Sequence, residues 1–427
     1  DFSYLKNNKV LKKNIEKLKY IYLSKRSNIS FGGELREQFQ YYNNPNFGDV
    51  PATFPQTNTM QVLQRAMVHA NIELGSQVRL FAQFGSTVRF FNPNPPTPEI
   101  DENKLSVHQL FVDYHLKKKW AIRLGRQEIS YASHRLFTFR EGPNNRLAFD
   151  AAVIKYMSKK RKIDFFAMSP VISKTGIFDD RTSKDFIVGI YAINKIVPKK
   201  LFVDLYFLNL NTERRKYNFV TGKEIRQSYG FRIFSENPKL NFEFEATYQS
   251  GRFNKSSISA FGISSDLNFK IVSKSSLIAG IGSNYMSGDK NKNDNQLNTY
   301  NLLFSKPQYG LTAPIGATNL VNINPYIKIS PSQKTNVFVS SYFMWRQSNQ
   351  DGTYSPTAVE TRPDQEILFT TTKMSIGTLL ALETGYAVNK NVAFAFDGSY
   401  FFAGDYVKAT GKGKDITYLS FKGTYKF

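Results

Sequence analysis

Arginine is the residue of this chain whose chemistry and spacing stand out. In stretches where polar and apolar side chains alternate, the two-residue period of a strand puts Arg36, Arg65 and Arg79 on the polar face. The same reasoning places Arg123 and Arg346 on polar faces. A guanidinium group stays charged at physiological pH and offers a planar fork of donors that matches a carboxylate. A row of such groups along a water-filled passage would bind and release carboxylated anions.

The same polar faces also carry carboxylates. Their acidic members are Glu34, Asp113, Asp204, Glu243, Glu245, Glu383 and Asp397. Two interpretations therefore stay open for each arginine, because it can contact a passing anion or pair with a carboxylate and brace the wall. For the set as a whole, the sequence favours a role in selecting anions.

Catalytic and metal-binding patterns are missing from the sequence. It has no Gly-x-Ser-x-Gly elbow, no His-Glu-x-x-His pair and no phosphate-binding loop ahead of a helix. Cysteine is absent, which excludes disulfides, cysteine nucleophiles and thiolate metal sites. The acidic loop 287–294 lacks the terminal Glu of a calcium loop. We therefore predict no enzyme activity, no metal site and no cofactor.

The elements that position the arginines are about 18 segments in which polar and apolar residues alternate. In 239–250, Phe242 and Phe244 share one face while Glu243 and Glu245 share the other. An apolar face toward lipid and a polar face toward water are typical of transmembrane β-strands, which need only about 9–11 residues each. No apolar run approaches the roughly 20 residues of a membrane helix.

Short and long connections alternate between these segments. The long ones are predicted at 43–59, 91–104, 131–147, 171–184, 212–224, 288–318, 348–372 and 404–414. This layout predicts an all-β fold, a transmembrane antiparallel β-barrel of about 18 strands with short periplasmic turns and long extracellular loops. The barrel must close because an open sheet edge in hydrocarbon leaves backbone groups unpaired. A barrel of that size would enclose an aqueous channel.

Two regions follow from this pattern. Residues 29–427 are predicted to form the barrel, and residues 1–28 an N-terminal extension. In the extension Leu5, Val10, Leu11, Ile15, Leu18 and Ile21 recur at roughly helical spacing among lysines. A short membrane-surface helix, a plug and a periplasmic segment are all open for it. We interpret the chain, which begins with Asp1, as a mature form whose signal peptide has been removed on export to the outer membrane of a Gram-negative bacterium.

The net charge of +23 predicts anionic partners. Part of that charge lies in turns such as 117–119 and 158–162, where it meets solvent or lipid headgroups. The 37 Phe and 24 Tyr suit the aromatic girdles of a barrel at both membrane interfaces. The predicted partners are an anionic polysaccharide or oligosaccharide, outer-membrane lipid and lipopolysaccharide, with no nucleic acid.

Several stretches of the chain resemble the alginate export family of outer-membrane porins. They are 18–21, 30–37, 124–128 and 140–150, with further similarity at 285–289, 319–321 and 402–406. The block from Gly125 to Asp150 is the most specific part. The resemblance implies a monomeric barrel with an electropositive, arginine-lined constriction, partly covered by loops, through which an anionic polysaccharide such as alginate leaves the cell.

The resemblance also assigns residues to the pore by match of motif. They are Arg36, Arg126, Arg140, Arg146 and Asp150. Arg126 has the strand parity of the apolar Ile122 and Leu124, so either a bulge turns it inward or it lies above the lipid zone.

The prediction as a whole is a passive channel for an anionic polysaccharide or oligosaccharide, with periplasmic export partners as an open addition. Its alternatives are a general or small-anion porin and a structural or enzymatic barrel with a closed pore. Whether the solute leaves or enters the cell stays open, because a passive pore has no intrinsic direction.

Overall fold

The strands form one closed antiparallel barrel of 18 strands, which confirms the predicted fold class. The computed structural model describes residues 14–49, 58–91, 100–131, 136–197, 200–237, 239–272, 276–305, 314–362 and 371–427. The barrel strands are β1 Ser27–Asn43, β2 Asn58–Leu74, β3 Val78–Phe90, β4 Asn103–Lys117, β5 Trp120–Gln127, β6 Phe149–Met157, β7 Arg161–Ile172, β8 Phe186–Val197, β9 Leu201–Tyr217, β10 Val220–Ser235, β11 Leu240–Phe253, β12 Ser256–Val272, β13 Leu277–Met286, β14 Leu320–Ser332, β15 Thr335–Arg346, β16 Ser375–Ala387, β17 Val392–Ala403 and β18 Ile416–Lys426. The first strand pairs with the last, which closes the sheet.

The two faces of the strands separate as the alternation predicts. In β1, Leu35 and Phe39 are exposed on the outer face, while Arg36 and Gln38 are buried on the inner face. This alternation is physically required, because apolar side chains are stable in lipid and polar ones are not. The backbone groups of the strands find their hydrogen-bond partners within the closed sheet. Among the described residues, no helix is long and apolar enough to cross a membrane.

One predicted long loop is wrong. Residues 212–224 belong to β9 and β10, which continue through them and join at the two-residue turn Asn218-Phe219. Both turn residues have positive φ, 47° and 65°, as in the tight turns that match the right-handed twist of paired strands. The polar run 212–216 is therefore strand. A second tight turn, Asn254-Lys255, joins β11 to β12 at the same end of the barrel.

Long loops fold into the barrel and fill part of what was predicted as an aqueous channel partly covered by loops. Phe137 and Leu303, from two different loops, pack with Phe149 and Phe166 of the wall in one buried apolar cluster. In a second cluster, residues of the loops that precede β14, β16 and β18 pack against apolar residues of the wall, and the last of these loops contains the short helix α1, Asp405–Ala409. The loops thus position side chains inside the barrel.

The N-terminal segment is described from Asn14 onward. Asn14–Leu18 forms a 3-10 helix, and Ile21–Ser24 pairs with the first residues of β1, so the barrel begins two residues before its predicted start at 29. The Lys19 ammonium group donates to the Phe31 carbonyl oxygen at 2.9 Å. The part of the predicted helix that rests on Leu5, Val10 and Leu11 lies outside the described residues. A plug or periplasmic role for the extension stays a prediction.

Candidate functional site

The loop 128–148, between β5 and β6, enters the barrel and is held against the inner wall by Asn144. This side chain is fully buried. Its amide nitrogen donates to the carbonyl oxygens of Gln64 at 3.0 Å and Asp101 at 2.9 Å, and its oxygen accepts from Arg36 Nη2 at 3.2 Å. The Arg36 guanidinium also donates to the carbonyl oxygens of Glu141 and Pro143, at 3.1 and 3.2 Å. The hydrogen bonds of Arg36 and Asn144 therefore fix the loop backbone from Glu141 to Asn144 against the wall.

Three arginines converge on the carboxylate of Glu141 at this point. Arg65 Nη2 donates to Oε1, Arg36 Nη1 lies 3.7 Å from Oε1, and Arg146 Nε lies 3.4 Å from Oε2. The side chains of Arg65 and Arg36 are 1% and 2% exposed, whereas that of Glu141 is 53% exposed. A solute in the lumen can reach the carboxylate, while two of the arginines sit behind it.

Two further glutamates share the same arginines. Arg65 Nε donates to Glu34 Oε1 at 3.0 Å, and Arg146 Nη2 donates to Glu128 Oε2 at 2.9 Å. We call Arg36, Arg65, Arg146, Glu34, Glu128 and Glu141 the constriction cluster. Its three positive and three negative charges cancel formally, and Lys426 Nζ flanks it 3.5 Å from Glu34. The arginines of this cluster are thus ion-paired, whereas the resemblance implied an electropositive constriction.

The Glu141 carboxyl group is ionised at neutral pH. Burial alone would raise its pKa, but the charges of Arg65 and Arg146, together with a hydrogen bond from Arg65, hold the pKa below its ordinary value. A negative charge therefore lies beside the three arginines at neutral pH.

A second group of arginines lies on the inner wall nearer the periplasmic turns. Arg123 Nε and Nη2 donate to Asp113 at 2.6 and 2.8 Å, and Arg79 Nη1 donates to the same carboxylate at 3.2 Å. Both guanidinium groups lie over the Phe111 ring, 4.0 Å and 5.4 Å from its centroid. Both arginines are partly exposed. Arg79, Arg123 and the nearby Lys155 outnumber the carboxylates of Asp113 and Asp164, which leaves an excess of positive charge there.

Arg126 and Asp150 face outward, which corrects their assignment to the pore. Arg126 lies opposite Leu110 in the sheet, an exposed apolar residue of the outer face, and shares that parity with Leu124. Its guanidinium forms a two-pronged pair with Asp150, at 2.8 and 3.1 Å, and Asp150 also accepts from the Thr182 hydroxyl. The pair lies near the loop end of β5. It therefore joins β5 to β6 at the end of the barrel where the long loops begin.

Arg140 joins two loops inside the barrel. Its Nε donates to the Ser305 carbonyl oxygen at 3.1 Å, next to the backbone bond from Thr138 N to Phe304 O at 3.2 Å. Burial and the nearby charge of Arg215 lower the pKa of Arg140 to about 10, which leaves it charged at neutral pH. Arg140 therefore ties the loop 128–148 to the loop 287–319.

Arg346 is also a loop anchor. Its side chain is 1% exposed. The guanidinium donates to the carbonyl oxygens of Lys373 at 2.6 Å, Thr371 at 3.1 Å, Asn349 at 3.2 Å and Asp351 at 3.1 Å, all within the loop that follows β15. No ion pair of Arg346 with a carboxylate occurs among the described residues. The guanidinium group of Arg346 therefore binds carbonyl oxygens of the loop backbone.

Asp351 is a buried carboxylate in that same loop. It accepts from Thr299 Oγ1 at 2.6 Å, Tyr354 Oη at 2.7 Å and Asp289 N at 2.8 Å. Burial, with a smaller contribution from the nearby charge of Asp289, raises the pKa of Asp351 to about 6. The folded loop therefore binds a proton at Asp351 more readily than an exposed aspartate would, although the carboxyl group is still mostly ionised at pH 7.

We expect the loop after β15, described for residues 347–362 and 371–374, to become more stable as the pH falls from 7 to 4. A raised pKa means that the folded state binds the proton more readily than the unfolded state, so stability is gained between about pH 6 and pH 4 on acidification, on the order of 2 kcal/mol. Hydrogen exchange of the described loop residues, corrected for intrinsic rates, measures this. Asp351→Asn should remove most of the pH dependence and leave a smaller part from Asp289, whose pKa burial also raises; full persistence in that variant would assign the effect to another group.

Sequence reasoning missed Glu141 and Asn144. Both lie in the block 140–150 that carries the resemblance, but a search for arginines alone passed over them. The sequence signal that could have found them is a carboxylate, Glu141, and an amide, Asn144, between the two arginines Arg140 and Arg146. Within the described residues, no group of three or more His, Asp or Glu side chains could hold a metal ion.

Comparisons with known proteins agree with this geometry. The alginate export family model matches residues 27–419. OpdO of Pseudomonas aeruginosa is similar in structure, with a TM-score of 0.62 at 11% identity over 95% of this chain and 98% of that one. OccK2 (OpdF) of the same organism, solved in complex with glucuronate, gives 0.62 at 9% identity over 93% and 98%.

A BenF-like porin of Pseudomonas fluorescens Pf-5 gives a TM-score of 0.61 at 10% identity over 93% of this chain and 98% of that one. At these identities the structural likeness shows the fold alone. No curated protein matches the chain. The family model, in contrast, matches all but the ends, and its barrel neighbours are outer-membrane porins. The chain therefore belongs to the alginate export family of outer-membrane β-barrel porins.

Proposed function

We propose that the protein is a passive channel for carboxylated saccharides, with an alginate-like oligouronate or polyuronate as the preferred solute. The observation that carries the proposal is the convergence of Arg36, Arg65 and Arg146 on the half-exposed carboxylate of Glu141. A place in the lumen that holds one carboxylate with three guanidinium groups has the chemistry to hold the carboxylate of a passing uronate.

A second positive site in the lumen favours transport of the solute through the channel rather than binding at a single place. Arg79 and Arg123, partly exposed and both paired with Asp113, form a separate positive position nearer the periplasmic turns. A polyuronate carries one carboxylate per sugar, so it can exchange its charges between successive weak sites. Sites that are favourable enough to enter and weak enough to leave are what conduction requires. The family match and the glucuronate complex of OccK2 are consistent with this solute class.

A porin for small carboxylates is the second candidate. It is favoured by the packing of the loops 128–148 and 287–319 inside the barrel, which narrows the lumen. The two candidates differ in the size of the solute. Swelling of proteoliposomes in glucuronate and in an oligouronate of six sugars separates them, because the second candidate passes only the monosaccharide.

Replacing both Arg79 and Arg123 with Gln is expected to lower the anion-to-cation permeability ratio roughly threefold or more, because the second site would lose its excess positive charge. Reversal potentials of single channels in a salt gradient measure the ratio. Arg126→Gln is the control for position and is compared with the single variant Arg123→Gln, since each removes one positive charge; loss of the outward-facing Arg126 should leave the ratio unchanged. A cation-selective wild-type channel would contradict the proposed function.

A further inference from the structure

We infer that Glu141 is a built-in competitor for the transported anion, whose carboxylate occupies a carboxylate-binding site formed by Arg36, Arg65 and Arg146 until an incoming uronate displaces it. The inference rests on the proposed function and deepens it by naming the binding site and the residue that controls its occupancy.

The site keeps its shape without the Glu141 side chain. Arg65 is held by Glu34 at 3.0 Å, Arg146 by Glu128 at 2.9 Å, and Arg36 by the Pro143 carbonyl oxygen at 3.2 Å and by Asn144. Each guanidinium group thus has a second anchor that does not involve the Glu141 carboxylate. A preorganised set of donors loses little on exchanging one carboxylate for another.

Glu141 can leave the site while its loop stays in place. The Glu141 backbone is fixed, because Arg36 Nη1 donates to its carbonyl oxygen at 3.1 Å and Asn144 ties the neighbouring residues to the wall. The Glu141 side chain, in contrast, is 53% exposed, and among the described residues its carboxylate pairs only with the three arginines. Rotation of that side chain into the lumen opens the site without moving the loop.

The cluster holds donors that Glu141 does not satisfy. Arg65 Nη1 and Arg36 Nε are buried and have no hydrogen-bond partner among the described residues. Buried donors without an acceptor are costly, and natural structures rarely retain them without a reason. Glu141 reaches Arg65 and Arg36 through one oxygen, Oε1. A carboxylate with hydroxyl oxygens beside it, as in a uronate, brings more acceptors than Glu141 provides.

Competition explains why the constriction cluster is neutral. With Glu141 in place the three arginines and three glutamates balance and the flanking Lys426 adds the one remaining positive charge; with Glu141 displaced, the arginines exceed the glutamates at the site by one. An unopposed arginine set would hold a polyanion tightly and slow its release. A tethered carboxylate that returns to the site after each sugar passes weakens every bound state, which favours transport over trapping.

The test is block of single-channel current by purified tri-galacturonate in wild type and in Glu141→Gln. Glutamine keeps the shape and removes the charge, so the variant is expected to bind the blocker at least roughly tenfold more tightly. Glu141→Asp, which keeps the charge on a shorter side chain, should fall between the two. Retained heat-modifiable migration of the folded barrel shows that each variant has assembled.

Glu128→Gln is the matched control for net charge. It removes one negative charge from the same cluster but frees no position on Arg36 or Arg65. Stronger block in Glu141→Gln than in Glu128→Gln supports the inference. Equal block in wild type and Glu141→Gln, or equal strengthening in both variants, overturns it. A wild-type channel that neither passes anions nor is blocked by tri-galacturonate overturns the proposed function instead, so the two failures are distinguishable.

Discussion

Arg65→Gln is expected to make the channel prefer cations and to loosen the loop 128–148. Arg65 bridges Glu34 and Glu141 and is 1% exposed, so its loss leaves two arginines against three glutamates in the constriction cluster. Glu34 then keeps a largely buried charge without its main partner, and breaking such a pair costs on the order of 3 kcal/mol. The half-exposed Glu141 contributes less, because water screens it.

Reversal potentials in a salt gradient and proteolysis of the loop measure the two effects together. Arg65→Lys keeps the charge but cannot bridge both carboxylates with one planar fork, so it should retain anion preference and still loosen the loop. The double variant Glu34→Gln with Arg65→Gln restores two charges of each sign and should recover much of the wild-type selectivity. Unchanged selectivity in Arg65→Gln would show that the cluster does not lie on the path of the ions.

Strand parity predicted the inner face well because it is a local property. Arg36, Arg65, Arg79 and Arg123 all lie inside the barrel, where the alternation placed them. Side chains two residues apart point the same way in any strand, so no distant contact is needed to assign them. Alternation reports the face alone, and whether an inward arginine meets solute or protein depends on what fills the lumen.

The wrong or missing predictions concern features that an alternating pattern of polar and apolar residues does not encode. The turn at Asn218 was missed because β9 and β10 run on past the apolar zone, where both faces meet water and the polar run 212–216 looks like a loop. Arg126 was assigned by motif, and a motif does not report the face of a strand. The partners of Asn144 lie up to 108 residues away, so no local pattern announces them.

Arg346 shows the same limit and yields the second large effect. Strand parity alone predicts that Arg346 presents its charge to the lumen. In the structure its guanidinium group instead donates to carbonyl oxygens of the loop that follows β15. The two roles predict opposite results for Arg346→Lys. A lumenal charge survives this change, whereas a planar fork that binds four residues at once does not.

We therefore expect Arg346→Lys to release the loop 347–374 although the charge is unchanged. Hydrogen bonds from a charged donor contribute about 1.5–3 kcal/mol each, and lysine can replace only part of them, so the loss of local stability is on the order of 3 kcal/mol. Hydrogen exchange of residues 347–362 and a rise in single-channel conductance measure the release. Lys328→Gln removes a positive charge from the exposed side chain of Lys328, which lies beside the Tyr326 ring, and should leave the loop protected. If Arg346→Lys keeps wild-type exchange, charge rather than the fork holds the loop, and Arg346→Gln should then be the variant that opens it.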